Sequence, residues 1–156
     1  MTWQYTPFLT LTLIGAVLVG VAALYVVRQQ RAYEPVAGGY TAVVLAAAIC
    51  WVLLGYALQM GSVELQQKLF WYELSFAGFM PIPVLLFFFT LRYTDRNEWL
   101  RWWNAGLLSL IPLVMTGLMF TNQNHRLILK HSEIIDNGVF VALRPEFGEA
   151  MIAYVA

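Results

Sequence analysis

Four runs in the chain are each long enough to cross a lipid bilayer and contain neither lysine nor arginine. They are residues 7–27 (PFLTLTLIGAVLVGVAALYVV), 40–60 (YTAVVLAAAICWVLLGYALQM), 69–91 (LFWYELSFAGFMPIPVLLFFFTL) and 103–121 (WNAGLLSLIPLVMTGLMFT). A bilayer core takes about 20 mostly apolar residues per helix. Lipid offers the backbone no hydrogen bonds, so a segment of this length crosses as a helix. Of the 156 residues, 60% are hydrophobic and only 12% charged, against about 25% charged in soluble domains. The expected fold is an all-α integral membrane protein, a helical bundle of four full spans.

The ends of the runs carry interfacial aromatics. Trp3 and Tyr5 precede the first, Tyr25 closes it, Tyr40 opens the second, and Trp71, Tyr72, Tyr93, Trp99, Trp102 and Trp103 flank the third and fourth. The first run is not expected to be a cleaved signal peptide. Its leader MTWQYTP has no charge, its apolar core is too long, and Arg28 and Arg31 follow it. Arg28, Arg31, Arg92, Arg96 and Arg101 fall in connections on one side, whereas the first loop on the other side holds only Lys68. Positive residues favour the cytoplasm, so the expectation is a multi-pass plasma-membrane protein with its N-terminus extracellular.

On the same outer side, residues 122–148 hold an Asp136-Asn137-Gly138 turn signal between β-prone runs, which predicts a short extracellular β-hairpin-like loop. After Gly148 the chain turns apolar again through residues 149–156. As helix this covers about 12 Å of a core about 30 Å thick. The expectation is the start of a fifth span, in a chain that is the front part of a longer protein and forms a single transmembrane sensor module. The alternative is a short segment lying in the interface.

The third run contains a contradiction, because Glu73, Pro81 and Pro83 are residues a membrane helix resists. Pro81 has no N–H for the Ala77 carbonyl and Pro83 none for Phe79, so a bend with free acceptors is expected there. Pro112 makes a similar bend in the fourth run. A kinked wall of this kind lines a ligand cavity or acts as a hinge, or it is a static packed bend. Glu73, one turn inside the run beside Trp71 and Tyr72, either snorkels to the headgroups or faces the bundle interior and meets a ligand or ion. Glu64 and Lys68 form an i,i+4 pair that reads as a solvated start to the helix.

Several chemistries find no support. Lysine plus arginine equals aspartate plus glutamate at 9 each, so no basic surplus draws nucleic acid. Cys50 has no partner cysteine and reads as a small buried hydrophobe. His125 and His131 with Glu133 and Asp136 match no metal-site spacing, and His125 is better explained as an interfacial polar cap. No nucleophile elbow, phosphate loop or dinucleotide fingerprint occurs, and with Lys68 and Lys130 assigned to loops no span offers a Schiff-base lysine. No catalytic residue, metal or cofactor is expected.

Residues 50–96, CWVLLGYALQMGSVELQQKLFWYELSFAGFMPIPVLLFFFTLRYTDR, resemble the N-terminal seven-helix membrane region found in front of bacterial and archaeal sensor histidine kinases. The resemblance lies in the WVLLGYAL second helix, the KLFWYEL start of the third, the proline at its middle and the closing FTLRYT. It continues in IPLVMTGLMFTNQNHRLI, residues 111–128, which is similar to a fourth helix ending in T-N-x-x-H, and in EFG with Tyr154. It implies seven helices followed by a cytoplasmic kinase portion absent from this chain, with homodimerisation through that portion. The function expected is a sensory input module in which a lipid-embedded bundle passes the effect of an unknown small ligand or membrane stimulus to the kinase. Glu73, Trp71, Tyr72, Pro81 and His125 are the candidate ligand-binding residues. A small transporter or a structural membrane subunit is the alternative; the first predicts internal repeats or polar residues deep in several spans, of which only Glu73 is an example.

Overall fold

Thr6 and Pro7 start the first helix. The Thr6 hydroxyl accepts the Leu9 amide at 3.2 Å, and Pro7 occupies the first turn, where a missing N–H costs nothing. A computed structural model describes residues 3–33, 37–96, 98, 100–136, 138 and 140–155. Trp99 and Asn137, named above, and residue 156, the end of the expected fifth-span start, lie outside the described residues. Helix α1 runs Pro7–Ala32 and α2 Gly39–Gly61, while the third span is two pieces, α3 Leu65–Phe79 and α4 Ile82–Tyr93. Helix α5, Trp102–Phe120, stays one element across Pro112. It is followed by the short α6 Asn122–His125, strands β1 Leu129–Asp136 and β2 Val141–Phe147, and α7 Glu149–Val155. Four helices are long and apolar enough to cross a membrane: Pro7–Ala32, Gly39–Gly61, Leu65–Tyr93 and Trp102–Phe120.

The first helix outlasts its apolar run, since Arg28, Gln29, Gln30 and Arg31 continue it. These are good helix formers; loss of hydropathy marks the edge of the lipid, not the end of the helix. The third begins before its apolar run, at Leu65, so Lys68 is in the helical lead-in that its spacing from Glu64 suggests, but it is not solvated there.

Lys68 corrects the sequence reading. It is fully buried, and its Nζ donates to the Gln59 carbonyl at 3.0 Å. The last carbonyls of any helix lack intrahelical donors, and at the end of α2 each finds another. Leu58 O accepts the Ser62 amide at 3.1 Å and the Ser62 hydroxyl at 2.8 Å. Met60 O accepts the Gln4 side chain at 2.8 Å, and Gly61 O the Gln4 amide, also at 2.8 Å. The Lys68 charge thus lies at the negative end of α2, where a cation is favoured. Lys68 also falls inside the third candidate span, Leu65–Tyr93, so a lysine does occur within a span.

Helix α1 packs on α2, and α2 on α3 and α4; α5 touches α3 and α4 more lightly. Small residues allow the α2–α3 approach. A Cβ on Gly55 would stand 2.6 Å from the Ser75 Cβ and 3.1 Å from its Cα. One on Gly78 would stand 2.6 Å from the Trp51 ring, whose Nε1 donates to the Leu74 carbonyl at 2.8 Å. Close backbone approach of this kind is how membrane helices associate without a hydrophobic drive between them. The outer surface stays apolar, with Leu11, Val17, Leu24, Leu107 and Leu113 all exposed, as suits lipid as solvent.

The one cluster of buried hydrophobics among the described residues lies where the third span breaks. It joins Phe76 and Met80 to Met115 and Met119 of α5, Ile128 and Leu129 at the hairpin base, and Met151 of α7.

Gly55→Ala is expected to destabilise the detergent-solubilised protein by about 1–3 kcal/mol through overpacking against the Ser75 backbone. Gly106→Ala, whose added Cβ meets nothing within 4 Å, is expected to be neutral or slightly stabilising. Thermal unfolding of the two variants side by side checks the difference.

Candidate functional site

The hairpin lies across one end of the bundle and is tied down at both ends. At its base Asn122 is buried. Its Oδ1 accepts the Ile128 amide at 2.9 Å and the Leu129 amide at 3.1 Å, and its Nδ2 donates to Leu129 O at 3.0 Å. The Gly148 amide donates to Ile128 O at 2.7 Å. Near the turn, the Gln4 amide group pairs with Val141 as a neighbouring strand would: Val141 N–H donates to Oε1 and Nε2 donates to Val141 O, each at 2.8 Å. Phe8 meets Phe140 edge to face at 5.8 Å. The strands are antiparallel, with Asp136 opposite Val141 and Glu133 opposite Arg144.

Between this hairpin and α3 opens a cleft of about 490 Å3. One wall is a single stripe of α3, Gln66, Leu69, Phe70 and Glu73, at the i, i+3, i+4, i+7 spacing that puts residues on one helical face. The other wall includes Arg126 and, on β1, Leu129, Lys130 and His131. Glu73 is half-buried, and among the described residues no hydrogen bond or ion pair reaches its carboxylate. The basic residues do not cross to it: Lys130 pairs with Glu149 at 3.5 Å, and His131 with Glu133 at 3.2 Å. Among the described residues no three His, Cys, Asp or Glu side chains gather as metal ligands would. The cleft has the means to bind by charge and apolar contact, and contains no nucleophile–base pair among the described residues.

A second crevice, about 330 Å3, lies on the other side of the break, where Ala77, Pro81, Val84 and Phe88 face Pro112 and Thr116. At the break a second segment makes contact, beside the Ala77 and Phe79 carbonyls that Pro81 and Pro83 leave without a ladder donor. Tyr154 on α7 donates its hydroxyl to the Met80 carbonyl at 3.0 Å.

The family described as the N-terminal 7TM region of histidine kinase matches residues 11–156. The chain belongs to this family. No curated protein matches it, and no solved structure does. The residues that carry the resemblance hold this histidine-kinase membrane region together: Trp51 and Gly55 at the α2–α3 contact, Lys68 on α2, Asn122 under the hairpin and Tyr154 on the break.

The candidates named from sequence do not converge on one place. Glu73 lines the cleft and Pro81 the second crevice. Trp71 stands edge to face on Phe70 at 5.1 Å, one residue removed from the cleft wall. Tyr72 packs on the buried cluster. His125 is spent locally: its Nε2 lies 3.1 Å from the Thr121 hydroxyl, and its Nδ1 accepts the Leu127 amide at 3.1 Å. Sequence reasoning missed Gln66, Leu69 and Phe70, although their spacing to Glu73 was a readable signal. It also missed Arg126 and Lys130, which only the folded hairpin brings near.

Asn122→Ala is expected to remove three hydrogen bonds and leave two amides unpaired, a loss of about 2–4 kcal/mol. Limited proteolysis should then cut residues 126–148 faster while the spans stay intact. Tyr154→Phe loses one hydrogen bond, about 1 kcal/mol or less in a membrane bundle, and should speed amide exchange around residues 80–85.

Proposed function

We propose that the chain is the sensory input module of a histidine kinase, set in the plasma membrane with its N-terminus and hairpin outside. Residues 149–156 begin a fifth span that leads toward the remaining helices and a cytoplasmic kinase portion, through which two copies pair. The observation that carries this reading is the double role of Leu129, which lines the cleft and belongs to the same buried cluster as Met80 and Met151. A stimulus that shifts β1 therefore disturbs the cluster that also holds the broken third span and α7. Methionine makes up four of the seven buried cluster residues, and its unbranched side chain repacks at little cost. Signalling needs two packings separated by a few kcal/mol, one of them favoured by the stimulus. The break at Met80–Pro81 and the Tyr154 hydroxyl on Met80 O form the hinge between them.

In membrane vesicles containing the kinase that carries this region, Tyr154→Phe and Glu73→Gln should each change autophosphorylation by about twofold or more, the shift produced by roughly 0.4 kcal/mol between the two packings. Membrane insertion should not change. Autophosphorylation identical to the unsubstituted protein in both variants would remove the cleft and hinge from signalling.

A further inference from the structure

The sensory reading leaves open what the cleft receives. We propose that it takes a dipolar solute, whose ammonium group is received by Glu73 and whose anionic group is held by Arg126 and Lys130. The proposal rests on the sensory reading, and it follows from how charge is placed in the cleft.

Glu73 is the one acid among the residues lining the cleft, and Arg126, Lys130 and His131 are its basic ones. Opposite charges in one cavity normally close into ion pairs. Here none joins them among the described residues, so the charges are held apart. Glu73 lies seven residues beyond Gln66 along α3, about 10 Å further into the span. The basic residues sit on the hairpin side, and Leu69, Phe70 and Leu129 provide the apolar wall. A carboxylate that far into a span without a partner is costly, and an incoming cation offsets the cost. The Phe70 ring, more than half exposed, adds an aromatic face for the same cation. On the hairpin side, the exposed Lys130–Glu149 pair at 3.5 Å is weak enough for Lys130 to exchange partners.

Each simpler ligand meets one unfavourable end. A plain cation passes a basic rim, and a plain anion meets Glu73. A molecule with both charges satisfies both ends and is steered in by its negative group. An aminophospholipid of the same leaflet carries both charges in the opposite order, its phosphate deeper than its ammonium. The occupant is therefore a free solute of the ω-amino acid type.

The test uses the whole chain in phosphatidylcholine nanodiscs, with the fluorescence of Trp71 against Phe70 among its signals. It is titrated with 6-aminohexanoate, with 6-acetamidohexanoate, which lacks the ammonium, and with 6-aminohexanamide, which lacks the carboxylate. The first should bind about tenfold or more tighter than either of the others, since each of those two can form only one of the two charge-assisted interactions. Glu73→Gln should erase the preference over 6-acetamidohexanoate, and Arg126→Gln that over 6-aminohexanamide. The comparison of the three solutes on the unsubstituted chain stands whether or not the variants fold. Equal affinities, no binding of any of the three, or competition from phosphatidylethanolamine placed in the disc would each overturn the proposal. If the solutes bind alike while Tyr154→Phe still alters autophosphorylation, the ligand class falls and the sensory reading stands. If 6-aminohexanoate binds with the stated preference and autophosphorylation ignores both it and the Tyr154 and Glu73 variants, the reverse holds.

Discussion

A peptide group in hydrocarbon has no water to turn to, and the architecture of this chain follows from where its unpaired carbonyls are satisfied. Inside a helix the ladder settles the matter. Difficulty arises at the end of α2 and at the proline break in the third span. In both places a donor comes from elsewhere in the chain: Lys68 and Gln4 bond the last carbonyls of α2, and Tyr154 bonds the Met80 carbonyl beside the break. Each such bond joins elements that hydropathy alone would leave free to drift. Gln4 bonds in turn to Val141, so the N-terminal segment, the end of α2 and the hairpin form one connected cap over the bundle.

Beneath that cap the packing is of two kinds. Between α2 and α3 it is close and unyielding, set by Gly55 against Ser75 and by Gly78 against Trp51. Around the break it depends on Met80, Met115, Met119 and Met151, side chains that accept rearrangement. A closely packed pair of helices thus stands beside a methionine-rich cluster.

Much of this was legible beforehand. The four spans stand out because hydropathy is a local sum, and the break at Pro81 because a missing N–H is a property of the residue itself. The helix ends were less legible, as Ala32 shows, because propensity carries a helix past the point where lipid does. Lys68 was misplaced for a clear reason. A lysine is read as exposed unless something nearby accepts its charge, and the Gln59 carbonyl comes near only once α2 has ended and the chain has turned back.

The sequence by itself determined that lipid is the solvent, which helices are long and apolar enough to cross it, where one must break and to which family the chain belongs, because each of these depends on composition or on short motifs. The grouping of side chains was decided only by the tertiary structure. Glu73 shares a cleft with Arg126 and Lys130, and Tyr154 reaches Met80, because the hairpin and α7 fold back onto the third span. Such contacts between segments far apart in the chain depend on packing, which no local pattern encodes.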